Sequence, residues 1–412
     1  MGLSFINIRH LFGILPNTIL RLEGAAMKNV ATIENAFLTI EEDKIIGFGN
    51  MLHYIPNGNQ TIDIQGRSIL PTWCDSHTHI VFAAPREKEF LMKIQGKSYE
   101  EIAAAGGGIL NSAAILQEST EEELYLSASL RLKRLIQLGT GAIEIKSGYG
   151  LNTESELKML RVIQQLKKDF LIPIKASFLG AHSFPKEYKE NKEGYISLII
   201  NEMLPKIASE KLADYIDVFC ELGFFSQEQT DEILKAGKKY GLKPKIHANQ
   251  LAISGGVQVG VINNAISVDH LENIDDDVIN VLKNKNTIAT LLPSCSFFIG
   301  IPFAPARQLI DAGLSIALAT DFNPGSTPSG NMNFVVSLAC IKMKLTPEEA
   351  FNAATINGAY AMELSDSIGS ITIGKKANFI ITKPIPSLTY IPYNFGDHVV
   401  DEVWIDGKKN GD

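Results

Sequence analysis

Residues 71–81 of the chain read PTWCDSHTHIV, an apolar run that leads directly into two histidines, His77 and His79. On an extended backbone, side chains two residues apart leave the same face, so both imidazoles can reach one point. A lone His-x-His pair also occurs by chance or inside a protein core, so the pair alone leaves two interpretations open. The rest of the chain has to distinguish a metal site from a coincidence.

The run before these histidines is the first of several short, apolar, β-branched runs in the middle of the chain. The runs are Ile69–Cys74, Ala142–Lys146, Ile172–Ser177, Tyr215–Cys220, Pro244–His247, Ile266–Asp269, Thr287–Leu292 and Ser315–Ala319. Amphipathic stretches lie between most of them, among them residues 121–139, 153–168, 226–241 and 346–362. Strands that alternate with helices in this number over about 250 residues predict a (β/α)8 TIM-type barrel.

The two ends of the chain have a different character from this middle. Residues 31–49 alternate apolar and polar side chains and end in glycine, and residues 369–383 resume the same pattern near the other end. Such segments are typical of short strands joined by turns. We therefore predict a small β-sandwich-like domain built from residues 1–68 and 366–412, which flank a barrel of residues 69–365.

Composition excludes several classes of protein. The chain has 412 residues, 45% hydrophobic and 20% charged, and 38 basic against 46 acidic side chains give a formal charge of −8. A mildly acidic chain without a basic cluster is a poor candidate for binding nucleic acid or an anionic membrane. No apolar run reaches the roughly 18 residues that span a bilayer.

The cysteines and the start of the chain favour a cytoplasmic location. The four cysteines, Cys74, Cys220, Cys295 and Cys340, are far apart and form no CxxC pair. Reduced thiols in a cytoplasm are the simplest interpretation of that pattern. The first residues contain no convincing secretory signal, because Arg9 and His10 interrupt the apolar stretch.

In a barrel of this kind the active site lies where the strands end at their carboxyl side. Five of the eight histidines and one aspartate follow predicted strands at that side: His77, His79, His182, His247, His270 and Asp321. Imidazoles with a carboxylate suit zinc or iron(II) rather than calcium or magnesium. Two of these residues also have a purely structural interpretation: Asp321 could cap the next helix, and a lone His270 could be a core residue.

At this point the chain resembles the amidohydrolase superfamily. The stretches that carry the resemblance lie at residues 71–109, 144–162, 179–185 (LGAHSFP), 247–257 (HANQLAISGGV), 267–274 (SVDHLENI) and 320–332 (TDFNPGSTPSGNM). They span nearly the whole predicted barrel. The end of the fourth run, DVFCELGFF at residues 217–225, has no obvious bridging lysine, which fits the one-metal branch of the superfamily.

The resemblance implies a metal centre and its chemistry. One divalent or trivalent ion, zinc or iron, would be held by His77, His79, His247 and Asp321. Asp321 would also accept the proton of the attacking water and pass it to the leaving nitrogen. His270 would hydrogen-bond the water or the carbonyl oxygen. The implied reaction is the hydrolysis of a small cyclic amide.

The resemblance also implies a small-molecule substrate with a propionate chain. An acidic protein needs a local cation for that carboxylate, and Arg86 on the first loop suits a bidentate clamp, although a surface role is the alternative. The remaining implied contacts are with Tyr149, His182, Asn323, Gly325 and Ser326. A homodimer is common among such enzymes and is expected here.

Gln250 departs from part of the family. Some members carry glutamate three residues after the fifth-strand histidine, where this chain has Gln250. An amide can orient a substrate but cannot take a proton at neutral pH, so we predict Asp321 as the base and Gln250 as an orienting residue. Two other functions stay open at this stage, a one-metal deaminase of another heterocycle and a catalytically silent barrel that only binds.

Overall fold

A computed structural model describes residues 2–56, 58–97, 101 and 107–411. Its strands, in chain order, are β1 (Gly2–Ile14), β2 (Ala31–Glu41), β3 (Lys44–Asn50), β4 (Gln60–Asp63), β5 (Ile69–Pro71), β6 (Trp73–Thr78), β7 (Thr140–Lys146), β8 (Ile174–Ala181), β9 (Tyr215–Cys220), β10 (Lys243–Ala248), β11 (Ser267–His270), β12 (Ile288–Leu291), β13 (Ile316–Leu318), β14 (Phe379–Thr382), β15 (Val400–Ile405) and β16 (Lys408–Lys409).

The eight strands β6 to β13 form one parallel sheet in which chain order is also spatial order. The first and last strands approach each other, because Thr78 and Phe322 form a parallel bridge. The Asp321 N–H donates to the His77 carbonyl at 3.0 Å, and the His79 N–H donates to the Phe322 carbonyl at 2.8 Å. The eight parallel strands in chain order, with helices between them, confirm the predicted (β/α)8 barrel.

Helices cover the barrel strands. The α-helices of the described residues are Glu87–Ile94, Ile109–Glu118, Glu121–Gln137, Thr153–Asp169, Lys192–Leu198, Leu204–Glu210, Gln227–Lys239, Gly256–Ile262, Asp276–Leu282, Pro293–Ile299, Ala306–Asp311, Met332–Met343, Pro347–Ala354, Ile356–Tyr360 and Tyr390–Tyr393. Capping boxes at Thr120, Ser226 and Thr346 start three of them, where a side-chain oxygen satisfies a free N–H of the first turn. Among the residues that the structure describes, no helix combines the length and apolarity needed to cross a membrane.

Strands from both ends of the chain form a second, separate sheet. Its order is β16-β15-β14-β5-β1-β2-β3, with β4 paired to β1. The sheet has its own apolar core, which includes Phe5, Phe379 and Trp404. The rings of Phe5 and Trp404 meet edge to face at 4.8 Å between centroids. The small domain therefore joins the two termini, as the sequence predicts.

One predicted strand is wrong in its extent. The run Ile69–Cys74 is not a single barrel strand, because Ile69–Pro71 pairs with β1 and β14 in the terminal sheet. The barrel strand begins at Trp73, whose N–H donates to the Gly139 carbonyl at 2.9 Å. The chain thus crosses between the two sheets at Thr72. The predicted domain limits at residues 68 and 366 stay a prediction.

Candidate metal centre and active site

Three histidines meet at the carboxyl ends of the barrel strands. His77 lies near the end of β6, His79 just beyond it, and His247 in β10. One nitrogen of each ring lies within 4.8 Å of the others, and all three side chains are buried. Strand alternation puts His77 and His79 on one face, and the parallel sheet brings the β10 histidine to the same end.

The state of the three rings fits a metal ion. The Nε2 atoms of His77 and His79 face each other at 3.3 Å, and the buried His247 Nε2 has no hydrogen-bond partner among the described residues. Burial is the largest cause that holds the pKa values of His77 and His79 well below their usual range. Neutral imidazoles with free Nε2 lone pairs are the form that binds zinc or iron.

Asp321 completes this group. Its Oδ1 lies 3.6 Å from the His77 Nε2 and 3.5 Å from the His79 Nε2. Asp321 has a φ of 55°, a left-handed conformation that non-glycine residues adopt at a cost. Its Oδ2 accepts a hydrogen bond from the Ser326 hydroxyl at 3.3 Å. The predicted fourth ligand therefore offers one oxygen toward the histidines and has a second oxygen outside their cluster.

Two further aspartates, which the sequence reasoning missed, contact the other nitrogens of these rings. His77 Nδ1 lies 2.6 Å from Asp269 Oδ2, and His247 Nδ1 lies 3.1 Å from Asp217 Oδ1. Burial raises the pKa of Asp217, but His247 and Lys146 outweigh it and hold the pKa well below its usual range. A carboxylate at Nδ1 keeps the proton there and leaves Nε2 free for a metal.

His270 faces the same centre at the end of β11. Its ring centroid lies 5.6 Å from that of His77 and 5.4 Å from that of His247. Both His270 and Leu271 have positive φ angles, 86° and 64°, which turn the chain sharply as the strand ends. The turn places Glu272 Oε1 3.6 Å from His270 Nδ1. Glu272 is a buried residue that the sequence reasoning missed, although it lies only two residues after the histidine.

Arg86 lies at the start of the helix Glu87–Ile94, beside the loop after β13. Its Nε donates to the Ser112 hydroxyl at 2.7 Å, which leaves the two terminal nitrogens for another partner. A Cβ at Gly325 would lie 2.5 Å from Arg86 Nη1, so only glycine admits the guanidinium in this position. The Arg86 guanidinium lies 5.8 Å from the centroid of the Tyr149 ring. Ser112 is a further residue that the sequence did not reveal.

Tyr149 and His182 connect Arg86 to the metal centre. The His182 ring stacks on His79 at 5.5 Å and lies 5.5 Å from Tyr149. Its Nδ1 lies 3.0 Å from the Gly148 carbonyl oxygen, and burial lowers the pKa of His182 to about 3. The buried Glu156 carboxylate accepts hydrogen bonds from the N–H groups of residues 148, 150 and 151 and thereby fixes the Tyr149 loop.

The loop DFNPGS is a tightly bonded turn. Asn323 Oδ1 accepts from the N–H groups of Gly325 and Ser326, both at 2.8 Å. The Asn323 amide donates to the Asp321 carbonyl and the Ser326 hydroxyl, both at 2.7 Å. These bonds already use the amide and the two backbone donors for which the sequence suggested substrate contacts. The Asn323 side chain accordingly shapes the turn that carries Asp321.

Gln250 contacts a buried cysteine, Cys295, near the other predicted residues. Its Nε2 lies 3.5 Å from the Sγ of Cys295, a buried thiol. Burial raises the pKa of the nearby Asp321 carboxyl, and His270 and His247 act against that rise. The structure therefore brings all of the predicted site residues into one cluster, and Cys295 joins it without having been predicted.

A model of the amidohydrolase family matches residues 68–409 of the chain. The imidazolonepropionase of Christiangramia forsetii is 59% identical over 410 residues, 99% of this chain and 100% of that protein. The imidazolonepropionase of Thermoanaerobacter pseudethanolicus is 41% identical over 380 residues, 92% of this chain and 91% of that protein.

Solved structures show the same fold at low identity. Guanine deaminase from E. coli superposes with a TM-score of 0.74 at 15% identity, covering 100% of this chain and 99% of that chain. An adenosine deaminase from Xanthomonas campestris, solved with bound zinc, has a TM-score of 0.68 at 16% identity and covers 99% of this chain and 92% of that chain.

Proposed function

The chain belongs to the amidohydrolase family, and we propose that it is a metal-dependent imidazolonepropionase. The reaction is the hydrolysis of the cyclic amide bond of 4-imidazolone-5-propanoate to N-formimidoyl-L-glutamate, a step of histidine breakdown. The observation that carries the proposal is that the three clustered histidines, which could hold a metal, and the Arg86 guanidinium lie on either side of the Tyr149 ring. A cyclic amide with a propionate chain requires both.

The residues that would hold the metal are His77, His79, His247 and Asp321. A zinc or iron ion supplies, when bound, a Lewis acid that polarises a carbonyl group and acidifies water from a pKa of about 16 to about 7. The donor set of imidazoles and one carboxylate suits either metal. Elemental analysis of protein purified without added metal distinguishes zinc from iron.

Asp321 then accepts the proton of the attacking water. Its Oδ2, bonded to the Ser326 hydroxyl, is the oxygen outside the histidine cluster, and it delivers the proton to the ring nitrogen when the C–N bond breaks. His270 donates to the carbonyl oxygen as negative charge develops there. Gln250 orients the ring through its amide.

Arg86 holds the propionate with its two terminal nitrogens, since Ser112 already occupies the Nε. Tyr149 and His182 would line one side of the substrate between Arg86 and the histidines. Their ring centroids lie 5.5 Å from each other, and 5.9 Å and 5.5 Å from that of His79. Ser326 lies at the end of the turn that Asn323 and Gly325 shape. The substrate would therefore lie between Arg86 and the metal ligands, with its ring carbonyl toward the ligands.

The function is tested with purified enzyme and 4-imidazolone-5-propanoate. We expect loss of substrate absorbance that a chelator abolishes and added zinc or iron restores. The same preparations are tested in parallel for ammonia release from guanine and adenosine. Ammonia release without ring opening would instead make the chain a deaminase, and no turnover of any substrate by metal-loaded protein would favour a binding protein.

We also propose a homodimer in the cytoplasm. The free state of Cys74, Cys220, Cys295 and Cys340 supports the cytoplasmic location. The homodimer rests on the resemblance to a family in which homodimers are common. Light scattering coupled to gel filtration measures the mass in solution. A mass of about 45 kDa, that of one chain, would contradict the dimer.

Replacing Gly325 by alanine is expected to weaken substrate binding without weakening the fold. The new methyl group lies where Arg86 Nη1 now lies, so the flexible guanidinium must move away from the carboxylate. A displacement of this size reduces kcat/KM about tenfold to a hundredfold. Steady-state kinetics measure the effect. Gly47→Ala is the matched control, because no atom lies within 4 Å of the added Cβ, and a Gly325→Ala enzyme as efficient as this control would disprove the crowding.

Replacing Glu272 by glutamine is expected to shift the pH profile toward acid. Burial lowers the pKa of His270, but the Glu272 carboxylate outweighs it and raises the pKa above its ordinary value. With the charge removed, burial remains and the pKa falls, so the protonated His270 that donates to the substrate is lost at a lower pH. The alkaline limb of kcat/KM should therefore move to lower pH.

The pH experiment compares kcat/KM of the two enzymes from about pH 5.5 to pH 9.5. Glu349→Gln is the control, since this buried glutamate bonds Thr346 and Arg307 instead of a histidine. An alkaline limb at the same pH in Glu272→Gln and in the unaltered enzyme would rule out the role of Glu272.

A further inference from the structure

Charged side chains fill the barrel interior beside the three histidines. Five are no more than 1% exposed: Glu144 and Lys146 from β7, Asp217 from β9, Lys245 from β10 and Asp269 from β11. Charges in a dry interior are costly unless each is paired, so the arrangement of these pairs carries information. The proposed reaction uses neither lysine.

Lys146 lies at the centre of the group. Its Nζ lies 2.6 Å from Glu144 Oε1, 2.7 Å from Asp217 Oδ2 and 3.6 Å from Asp269 Oδ2. These two aspartates are the ones that contact the Nδ1 atoms of His77 and His247. A single ammonium group therefore bridges the two carboxylates that support two of the predicted metal ligands.

Lys245 provides a natural comparison. It is as buried as Lys146 and bonds the other carboxylate oxygen of Glu144. Among the described residues it has no hydrogen bond to Asp217 or Asp269. The two lysines thus share burial and a glutamate partner, but only Lys146 reaches the aspartates behind the histidines.

The orientation of an imidazole ligand depends on its second nitrogen. A carboxylate that accepts from Nδ1 fixes the ring and its tautomer, so that Nε2 offers a lone pair to the metal. The carboxylate itself must be held in place and compensated for its lost hydration. Lys146 does both for Asp217 and Asp269, while the Ser267 hydroxyl donates to the remaining oxygen of Asp269 at 2.5 Å.

We propose that Lys146 is a positioning residue of the metal centre, which holds Asp217 and Asp269 in the places from which they orient His77 and His247. The inference rests on the proposed function for the presence of a metal. It extends that function to a lysine that touches neither the metal ligands nor the substrate in the proposed reaction.

The test measures metal affinity rather than turnover. Apoprotein of Lys146→Met, Lys245→Met and the unaltered chain is titrated with zinc against a chromogenic chelator, and the visible spectrum of the cobalt(II) form reports the ligand geometry. We expect a zinc Kd about 10- to 100-fold weaker in Lys146→Met, with an altered cobalt spectrum. In Lys245→Met we expect a Kd within about threefold of the unaltered protein.

Urea unfolding of each apoprotein separates a loss of stability from a loss of metal affinity. Where Lys146→Met does not fold, Lys146→Gln keeps a donor without the charge, and Asp269→Asn tests the same connection from the His77 side. Zinc affinity in the folded Lys146 variant equal to that of Lys245→Met overturns the inference. Unaltered protein that binds no zinc or iron would overturn the proposed metal centre instead, so the two failures are distinguishable.

Discussion

Replacing Asp321 by asparagine is expected to reduce kcat by about 10³-fold or more while the protein remains folded. The amide keeps the size of the side chain and an oxygen that can face the histidines, but it cannot accept a proton at neutral pH. General base and acid catalysis by one group contributes about 10²- to 10⁴-fold, and here the same group would serve in both steps. Stopped-flow kinetics with the imidazolone substrate, together with metal analysis, measures the two effects separately.

The control for this variant is Asp311→Asn, an exposed aspartate whose partner is Arg307. It should retain normal turnover. If Asp321→Asn retained both its metal and near-normal turnover, the proton would have to pass through another group. Loss of metal and activity together would leave Asp321 as a ligand, and pH-dependent rescue by added metal would then be the way to separate its two roles.

Replacing Arg86 by methionine is expected to reduce kcat/KM by about 100-fold or more. A bidentate bond between guanidinium and carboxylate consists of two charge-assisted hydrogen bonds, each worth roughly 1.5–3 kcal/mol. Methionine fills much of the same space, so the stacking beside Tyr149 and the position of the helix should change little. The expected loss falls mainly on KM, because the propionate is remote from the bond that breaks.

A substrate analogue sharpens this test. An imidazolone with a neutral propyl chain lacks the carboxylate, so the unaltered enzyme and Arg86→Met should process it at similar rates. Arg161→Met, which removes a surface guanidinium paired with Glu210, serves as the control for general effects of charge. The carboxylate clamp would be refuted by an Arg86→Met enzyme whose KM for the natural substrate is unchanged.

The sequence predicts the barrel well, because each barrel strand is a short apolar run and distinctive polar residues lie at the carboxyl ends of several strands. Tyr215–Cys220 agrees with the predicted run at both ends. The error at Ile69–Cys74 has a clear cause: an apolar run does not reveal which of two sheets each half joins. Only the long-range pairing of Ile69–Pro71 with β14 shows it.

The predicted site residues come together because each lies near or beyond the carboxyl end of a strand of one parallel barrel. The supporting residues were missed because their partners are distant in the chain. Asp269 and His77 are 192 residues apart, and Ser112 contacts Arg86 from a helix 26 residues away. The strand sequences do contain a signal for these supporting residues. EIK (144–146), YID (215–217) and VDH (268–270) each place a charged side chain within an apolar run. In a buried strand such a charge needs a partner, which is a reason to search for one.

The closure of the barrel has a consequence for how the protein is made. Thr320 bonds Asp75 across 245 residues of chain, next to the backbone bonds that join the ends of β6 and β13. During translation the edge of β6 therefore stays unpaired until almost the whole barrel has left the ribosome. Contacts of such long sequence separation slow folding and expose strand edges meanwhile. We therefore expect the nascent chain to expose this edge for most of its synthesis, and the proposed metal centre to be complete only after residue 321 has emerged.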